Sequence, residues 1–229
     1  MRQIVLDTET TGLSPNDGDR LVEIGCLEIV NQVATGNTFH RYINPERDVP
    51  KGAFDVHGLS EEFLRDKPKF AEVAEEFLEF IGDDPLVIHN ASFDMGFLNA
   101  ELKRAGRPSL IAARAVDTLT IARKRFPGAQ NSLDALCRRF GVDNSNRIKH
   151  GALLDAELLA EVYLELMGGR QPGLVLDANL DVRKIEIVVA APRTRPTPLP
   201  PRLTDEERAA HEVFVATLGP DALWRAPGA

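Results

Sequence analysis

The chain has 229 residues, 43% of them hydrophobic, and a formal net charge of −8, which suits one sizeable core plus a tail. No apolar run approaches the ~18 residues of a membrane span, and the opening MRQIVLDTET reaches carboxylates too early for a secretory signal. The two cysteines, Cys26 and Cys137, lie in apolar stretches and suit buried thiols in a reducing compartment better than a disulfide framework, so a soluble cytoplasmic protein is expected.

In chain order, Gln3–Thr8 and Leu21–Val30 predict strands, with a third over Asn37–Ile43. Thr8-Glu9-Thr10-Thr11-Gly12 leaves the first strand for a turn. Helices are expected over Ser60–Arg65, with Ser60 as N-cap, and over Phe70–Ile81. Leu86–His89 predicts a short buried strand, Phe93–Ala105 a helix stopped at Gly106, and Ala113–Asp117 another strand. Helices follow over Leu119–Arg125, over Ser132–Phe140 with a stop at Gly141, and over Ala152–Met167. Three early strands, then strands alternating with helices, predict an α/β fold with a mixed sheet and helices on both faces.

The composition changes at Met167-Gly168-Gly169. Five prolines between Ala190 and Pro201 favour extended polyproline II, so residues 171–202 read as a semi-rigid linker after a domain over 1–170. In the tail, 203–229, Thr204-Asp205-Glu206-Glu207 is a capping box that starts a helix stopping at Gly219-Pro220. Ala210, Val213, Phe214 and Thr217/Leu218 share one stripe, too small for a core, and Leu223 and Trp224 follow; together they read as a docking peptide.

The chemistry is carried by carboxylates. Asp7 and Glu9 alternate with Leu6 and Thr8, so both point from one face at the end of an apolar strand. There they repel each other unless a cation lies between them. Asp94 falls in the first turn of a helix, where an acidic residue is also favoured by the macrodipole. Asp155 lies on the face of Leu158, Leu159 and Val162, where a carboxylate needs a partner, and His150 stands within roughly one turn of it. Each residue alone is compatible with a strand end, a cap or a surface side chain. Together, hard oxygen ligands and one base fit metal-assisted phosphodiester hydrolysis. His89, closing a buried strand, and Asp117, before Thr118, are read as structural.

The blocks IVLDTETTGL, VIHNASFDMGFL and HGALLDAELLAEVY resemble the three exonuclease motifs of the DEDD superfamily, in its histidine-containing branch. VHGLSEEFLRDKPKFAEV, RKRFPGAQNSLDALCRRF and DNSNR are similar to stretches of the epsilon subunits of bacterial DNA polymerase III. The resemblance covers residues 2–169. It implies a ribonuclease-H-like fold with a five-stranded mixed sheet. It implies that Asp7, Glu9, Asp94 and Asp155 hold two Mg²⁺ or Mn²⁺ ions and that His150 is the general base. Thr10, Thr11 and Gly12 would line the terminal nucleotide, Val56 and His57 would pack on its base or sugar, and Asn90 and Phe93 would flank the cleaved end. It also implies that the tail binds the polymerase alpha subunit. Gln171-Pro172-Gly173-Leu174-Val175-Leu176 stands where such subunits carry a sliding-clamp motif, with Leu176 in place of the aromatic, so any clamp contact is expected to be weak.

The charge bears on the DNA 3′ end as substrate. From Gln171 onward seven Lys/Arg face eight Asp/Glu, so the first 170 residues carry 20 against 27, or −7. Phosphate binding usually leaves a basic footprint, so the lone chain is expected to hold DNA weakly, with a partner delivering the end. The expected function is 3′→5′ proofreading that releases 5′-mononucleotides. The alternatives are an RNA-trimming or repair exonuclease of the same superfamily and a non-catalytic scaffold that stabilises the polymerase.

Overall fold

Strand β1 (Arg2–Thr10) is fully buried from Ile4 to Leu6 and forms the centre of a five-stranded sheet in a computed structural model that describes residues 1–145, 147, 149–169 and 203–219. On one side β1 pairs antiparallel with β2 (Leu21–Val30), which pairs antiparallel with β3 (Val33–Tyr42). On the other it pairs parallel with β4 (Leu86–Ile88), and β4 pairs parallel with β5 (Ala115–Asp117), giving the order β3-β2-β1-β4-β5. The third strand starts earlier than the expected Asn37. Asn31 and Gln32 both take positive φ, 51° and 67°, and close a tight hairpin that pairs Val30 with Val33 at once. No glycine marks that turn.

The helices are α1 (Lys51–His57), α2 (Glu61–Arg65), α3 (Phe70–Ile81), α4 (Ala91–Arg104), α5 (Thr118–Arg125), α6 (Leu133–Phe140), α7 (Ala152–Leu166) and α8 (Asp205–Thr217). Helix α1 had no signal in the apolar pattern, because His57 is its one buried residue. The caps follow the side chains: Ser60 accepts from Phe63 N at 3.1 Å and Ser132 from Ala135 N at 3.3 Å, and Gly141 ends α6 in the left-handed region. Helix α4 begins two residues before the expected Phe93, after Asn90, whose φ of 70° turns the chain out of β4.

Alternation along β1 splits the core in two. Ile4 and Leu6 pack with Phe70, Phe77, Phe97 and Leu98 under α3 and α4. Val5 packs with Leu136, Leu159 and Val162 under α6 and α7, and Ala122 of α5 joins them. Each fully buried leucine or phenylalanine contributes about 1.5–3 kcal/mol. Cys26 and Cys137 are free and buried. Among the described residues no helix is long and apolar enough to cross a membrane.

The chain divides into two compact units, Met1–Val175 and Leu176–Ala229. In the second, α8 is opened by the capping box: Thr204 Oγ1 accepts from Glu207 N at 3.2 Å, and Glu207 Oε2 accepts from Thr204 N at 2.9 Å. Val213, Phe214 and Leu218 are exposed. The expected linker over 171–202, including Gln171–Leu176, and the residues Leu223 and Trp224 lie outside the described residues.

One close approach fixes the site. Gly25 of β2 stands opposite Asp7, and a Cβ built there would lie 2.2 Å from Leu153 N and 2.3 Å from the Ala152 carbonyl carbon. The first turn of α7 therefore rests on the backbone of β2, beside Asp7. Gly25→Ala is expected to lower stability by about 2–3 kcal/mol through overpacking. Gly52→Ala, in exposed α1 with open space around it, is expected to be neutral or slightly stabilising. Urea midpoints of the two variants test this, and a wild-type midpoint for Gly25→Ala would contradict the close packing.

Candidate active site

Three elements deliver the acidic residues. Asp7 and Glu9 share the face of β1 that lies under α7, and Glu9 is 8% exposed. Asp155 sits in the first turn of α7 and Asp94 in the first turn of α4, each 3% exposed. Helices α4 and α7 cover opposite faces of the sheet, so Asp94 reaches the end of β1 from the side away from Asp7 and Glu9. Thr8, on that second face, donates to Asp94 Oδ1 at 2.7 Å and holds it there.

All four carboxylates and His150 line one cleft of about 280 Å³. His150 is half exposed at its edge, with Nδ1 3.4 Å from Asp155 Oδ2. Glu9, His150 and Asp155 each offer a ligand atom within 4.8 Å of the others. A larger groove, about 870 Å³, opens between the β2–β3 turn and the end of α7. Among the described residues its one titratable lining residue is Glu161, so the chemistry lies in the smaller cleft.

The carboxylates do not share one electrostatic state. Burial, then the charges of Asp94, Glu9 and Asp155, push the Asp7 carboxyl well above the ordinary range. Burial, then Asp155 and Glu23, lift Glu9 to about 8. Burial lifts Asp94 to about 7 against the lowering effect of the Thr8 hydrogen bond. Asp155 goes the other way: burial alone would raise it, but the adjoining His150 and Arg147 side chains outweigh burial and hold it low. Such a site favours divalent cations with hard oxygen ligands, which relieve both the burial cost and the mutual repulsion.

Arg147 was not singled out by the sequence. Its buried guanidinium donates to Asp155 through Nε at 2.5 Å and Nη2 at 2.6 Å, and to Asp134 through Nη1 at 2.8 Å. An arginine in a polar loop carries no pattern that announces such a contact. Asp134, in the first turn of α6, was equally silent.

Phe93 lines the cleft and packs on Phe97 with ring centroids 4.9 Å apart. Thr10, Thr11, Gly12, Val56, His57 and Asn90 are not among its lining residues. Thr10 donates to the Gly12 carbonyl at 2.6 Å, and Thr11 Oγ1 is buried beside Asp19. Gly12 is needed for space, because a Cβ there would meet the Asp19 carboxylate at 2.2 Å. Helix α1 reaches the rim of the site, where the Val56 carbonyl accepts from His150 N at 3.2 Å. His57 accepts at Nδ1 from Leu59 N, while its buried Nε2 has no partner among the described residues, and burial lowers its pKa. Asn90 is exposed, and its N–H donates to Asp117. Asp117 also caps α5 through Leu119 N at 3.0 Å, and His89 Nδ1 lies 2.9 Å from Thr118 Oγ1, so both have structural partners; His89 also borders the cleft.

A family model described as exonuclease matches residues 4–163. The chain is 51% identical over 222 residues to the DNA polymerase III subunit epsilon of Rickettsia felis, covering 95% of this chain and 97% of that one. It is 47% identical over 241 residues to the subunit of that name from Escherichia coli, covering 98% of each. Among solved structures, exonuclease X in complex with 5′ overhanging duplex DNA matches with a TM-score of 0.58 at 25% identity, over 72% of this chain and 90% of that one. The nuclease domain of 3′hExo, a DEDDh family member bound to rAMP, shares the fold with a TM-score of 0.63 at 16% identity, over 72% and 91% of the two chains. The mixed sheet with helices on both faces is the ribonuclease-H-like fold of these exonucleases.

The raised carboxyls set a pH dependence in metal-free protein. Glu9 and Asp94 stand at about 8 and about 7 against ordinary values of 4.5 and 3.8. The folded chain therefore keeps protons that the unfolded chain has lost, and their contribution to stability falls as pH rises between about 4 and 8. His57 and His89, whose values burial lowers, act in the opposite direction. In EDTA, the wild-type melting temperature is expected to lose ground to Glu9→Gln/Asp94→Asn as pH rises through that window, and Mn²⁺ should abolish the difference in slope. Parallel wild-type and variant curves in EDTA would contradict the shifts.

Proposed function

The chain belongs to the exonuclease family, among the epsilon subunits of bacterial DNA polymerase III, and from that premise we propose that it is the metal-dependent 3′→5′ exonuclease that proofreads for a replicative polymerase. The observation that carries the mechanism is the convergence of Asp7, Glu9, Asp94 and Asp155 with His150 in one cleft. The four carboxylates hold two divalent ions, Mg²⁺ or Mn²⁺. Bound there, the ions supply Lewis-acid polarisation of the scissile phosphate and charge neutralisation for the attacking and leaving oxygens.

The chain's own groups do the rest. Asp155 Oδ2 faces His150 Nδ1, so a proton on Nδ1 leaves the Nε2 lone pair to take the proton of the attacking water. Thr8 keeps Asp94 aimed at the end of β1. Phe93 offers an apolar wall to the terminal nucleotide, and exposed Val56 on α1 offers another. The family resemblance assigns His57, Thr10, Thr11, Gly12 and Asn90 to the terminal nucleotide as well, although they lie outside the lining of the cleft. Mismatched ends are selected because they become single-stranded at lower cost than paired ones; the site need not read the base. The protein works at the replisome in the cytoplasm. Residues 203–229 bind the polymerase alpha subunit, supported by the exposed Val213, Phe214 and Leu218 of α8. Gln171–Leu176 makes at most a weak contact with the sliding clamp.

Release of mononucleotides from a 3′-mismatched primer in Mg²⁺ tests the reading. Asp7→Ala/Glu9→Ala is expected to abolish release, and His150→Ala to lower kcat by about 10²–10⁴-fold. No metal-dependent release from wild type, even with polymerase present, would shift the function to a scaffold, and faster release from RNA ends would shift it to RNA trimming. Deleting residues 203–229 should abolish co-purification with the alpha subunit and leave release from single-stranded DNA intact; retained co-purification would contradict docking by the tail.

A further inference from the structure

Arg147 does more than neutralise its surroundings. Both oxygens of Asp155 are engaged by its guanidinium, at 2.5 and 2.6 Å, in the bidentate geometry that makes arginine–carboxylate pairs strong. Its Nη2 also lies 2.8 Å from His150 Nδ1. Guanidinium nitrogens only donate, so this contact requires Nδ1 to accept and places the imidazole proton on Nε2. A base acting at Nε2 requires the opposite tautomer. The same contacts thus occupy one carboxylate of the cation site and hold the histidine in the form that cannot take a proton there.

A second cation beside the first is disfavoured. Asp155 and Glu9 lie together in the group able to hold a metal, and a dication there would stand a few ångströms from a buried guanidinium at low effective dielectric. Removing the guanidinium without replacement would leave Asp155 as an uncompensated buried charge. Exchange of one cation for another avoids both costs. Asp134 supplies the landing point: its Oδ1 already accepts from Nη1 at 2.8 Å, it is 42% exposed, and Asn144 Nδ2 donates to the same Oδ1 at 3.1 Å. Arg147 lies in the connection between α6 and α7, which contains no helix or strand among the described residues.

We propose that Arg147 is a placeholder cation, which fills the Asp155 end of the cleft in the metal-free protein and withdraws from Asp155 and His150 onto Asp134 when divalent ions load. It is a positioning residue: it acts through Asp155 and His150, and its departure lets Asp155 ligate and lets His150 adopt its catalytic tautomer. The proposal rests on the metal-dependent exonuclease reading, so its test uses no nucleic acid. Binding of Mn²⁺ to the full-length chain is measured by calorimetry for wild type, Arg147→Lys and Arg147→Met, alongside melting temperatures in EDTA and in Mn²⁺.

Lysine keeps the charge but cannot form the bidentate pair, and methionine removes both. A placeholder predicts Mn²⁺ affinity in the order Met, Lys, wild type, with about a tenfold gain for Met and about threefold for Lys. Both variants should melt lower in EDTA and gain more from Mn²⁺ than wild type. An arm that merely orients Asp155 for the metal predicts the reverse order. Lysine binding Mn²⁺ no more tightly than wild type would overturn the proposal, and Lys decides alone if Met fails to give a cooperative melt. Tight Mn²⁺ binding without nucleotide release would sink the nuclease reading and leave the exchange standing.

Discussion

Four carboxylates crowded at the end of a buried strand are the constraint on which the molecule turns. Asp7, Glu9 and Asp94 are pushed toward protonation first by burial and then by neighbouring carboxylates, and of the four only Asp155 is held low. A core of this size tolerates such a cluster because cations replace the lost water: a guanidinium in the metal-free chain and divalent ions in the working enzyme. Part of the net charge of −8 has the same origin. Formal charge omits bound metal, so the acidic balance describes the empty protein better than the working one.

The architecture answers the problem of assembling that cluster without strain. β1 lies at the centre of the sheet, so both of its faces are covered and both can contribute. Period-two alternation sends Asp7 and Glu9 toward α7 and Thr8 toward α4. Two helix N-termini then bring Asp155 and Asp94 from opposite sides, each in a first turn where the helix dipole favours an acidic residue. Gly25 lets α7 descend onto β2, so the distance between Asp155 and β1 is set by backbone contact. Rigid elements carry the four carboxylates, and His150 stands on a half-exposed loop position.

In the proposed function, catalysis and recruitment are separated along the chain. The cleft is small and acidic and offers little for duplex DNA, which suits an enzyme handed a frayed end by a partner. Helix α8 carries its own capping box and an exposed apolar stripe, so its local structure does not depend on the catalytic core for its start signal.

The sequence by itself determined the elements with strong periodicity or clear punctuation. The buried run of β1, the amphipathic α3, the Ser132-to-Gly141 helix and the Thr204 capping box are all written in local residue patterns, and the three acidic blocks carried the family and the metal-ligand candidates. It was blind to α1, which buries one residue, and to the glycine-free hairpin at Asn31-Gln32, because neither leaves a local pattern. What only the tertiary structure decided is which residues meet. Thr8 grips Asp94 of the helix above its face, Gly25 admits α7, and Arg147 closes on Asp155, Asp134 and His150. Each contact joins residues whose local neighbourhoods do not encode one another. Distance in space depends on how the sheet and helices pack, and no periodicity within a single segment records it.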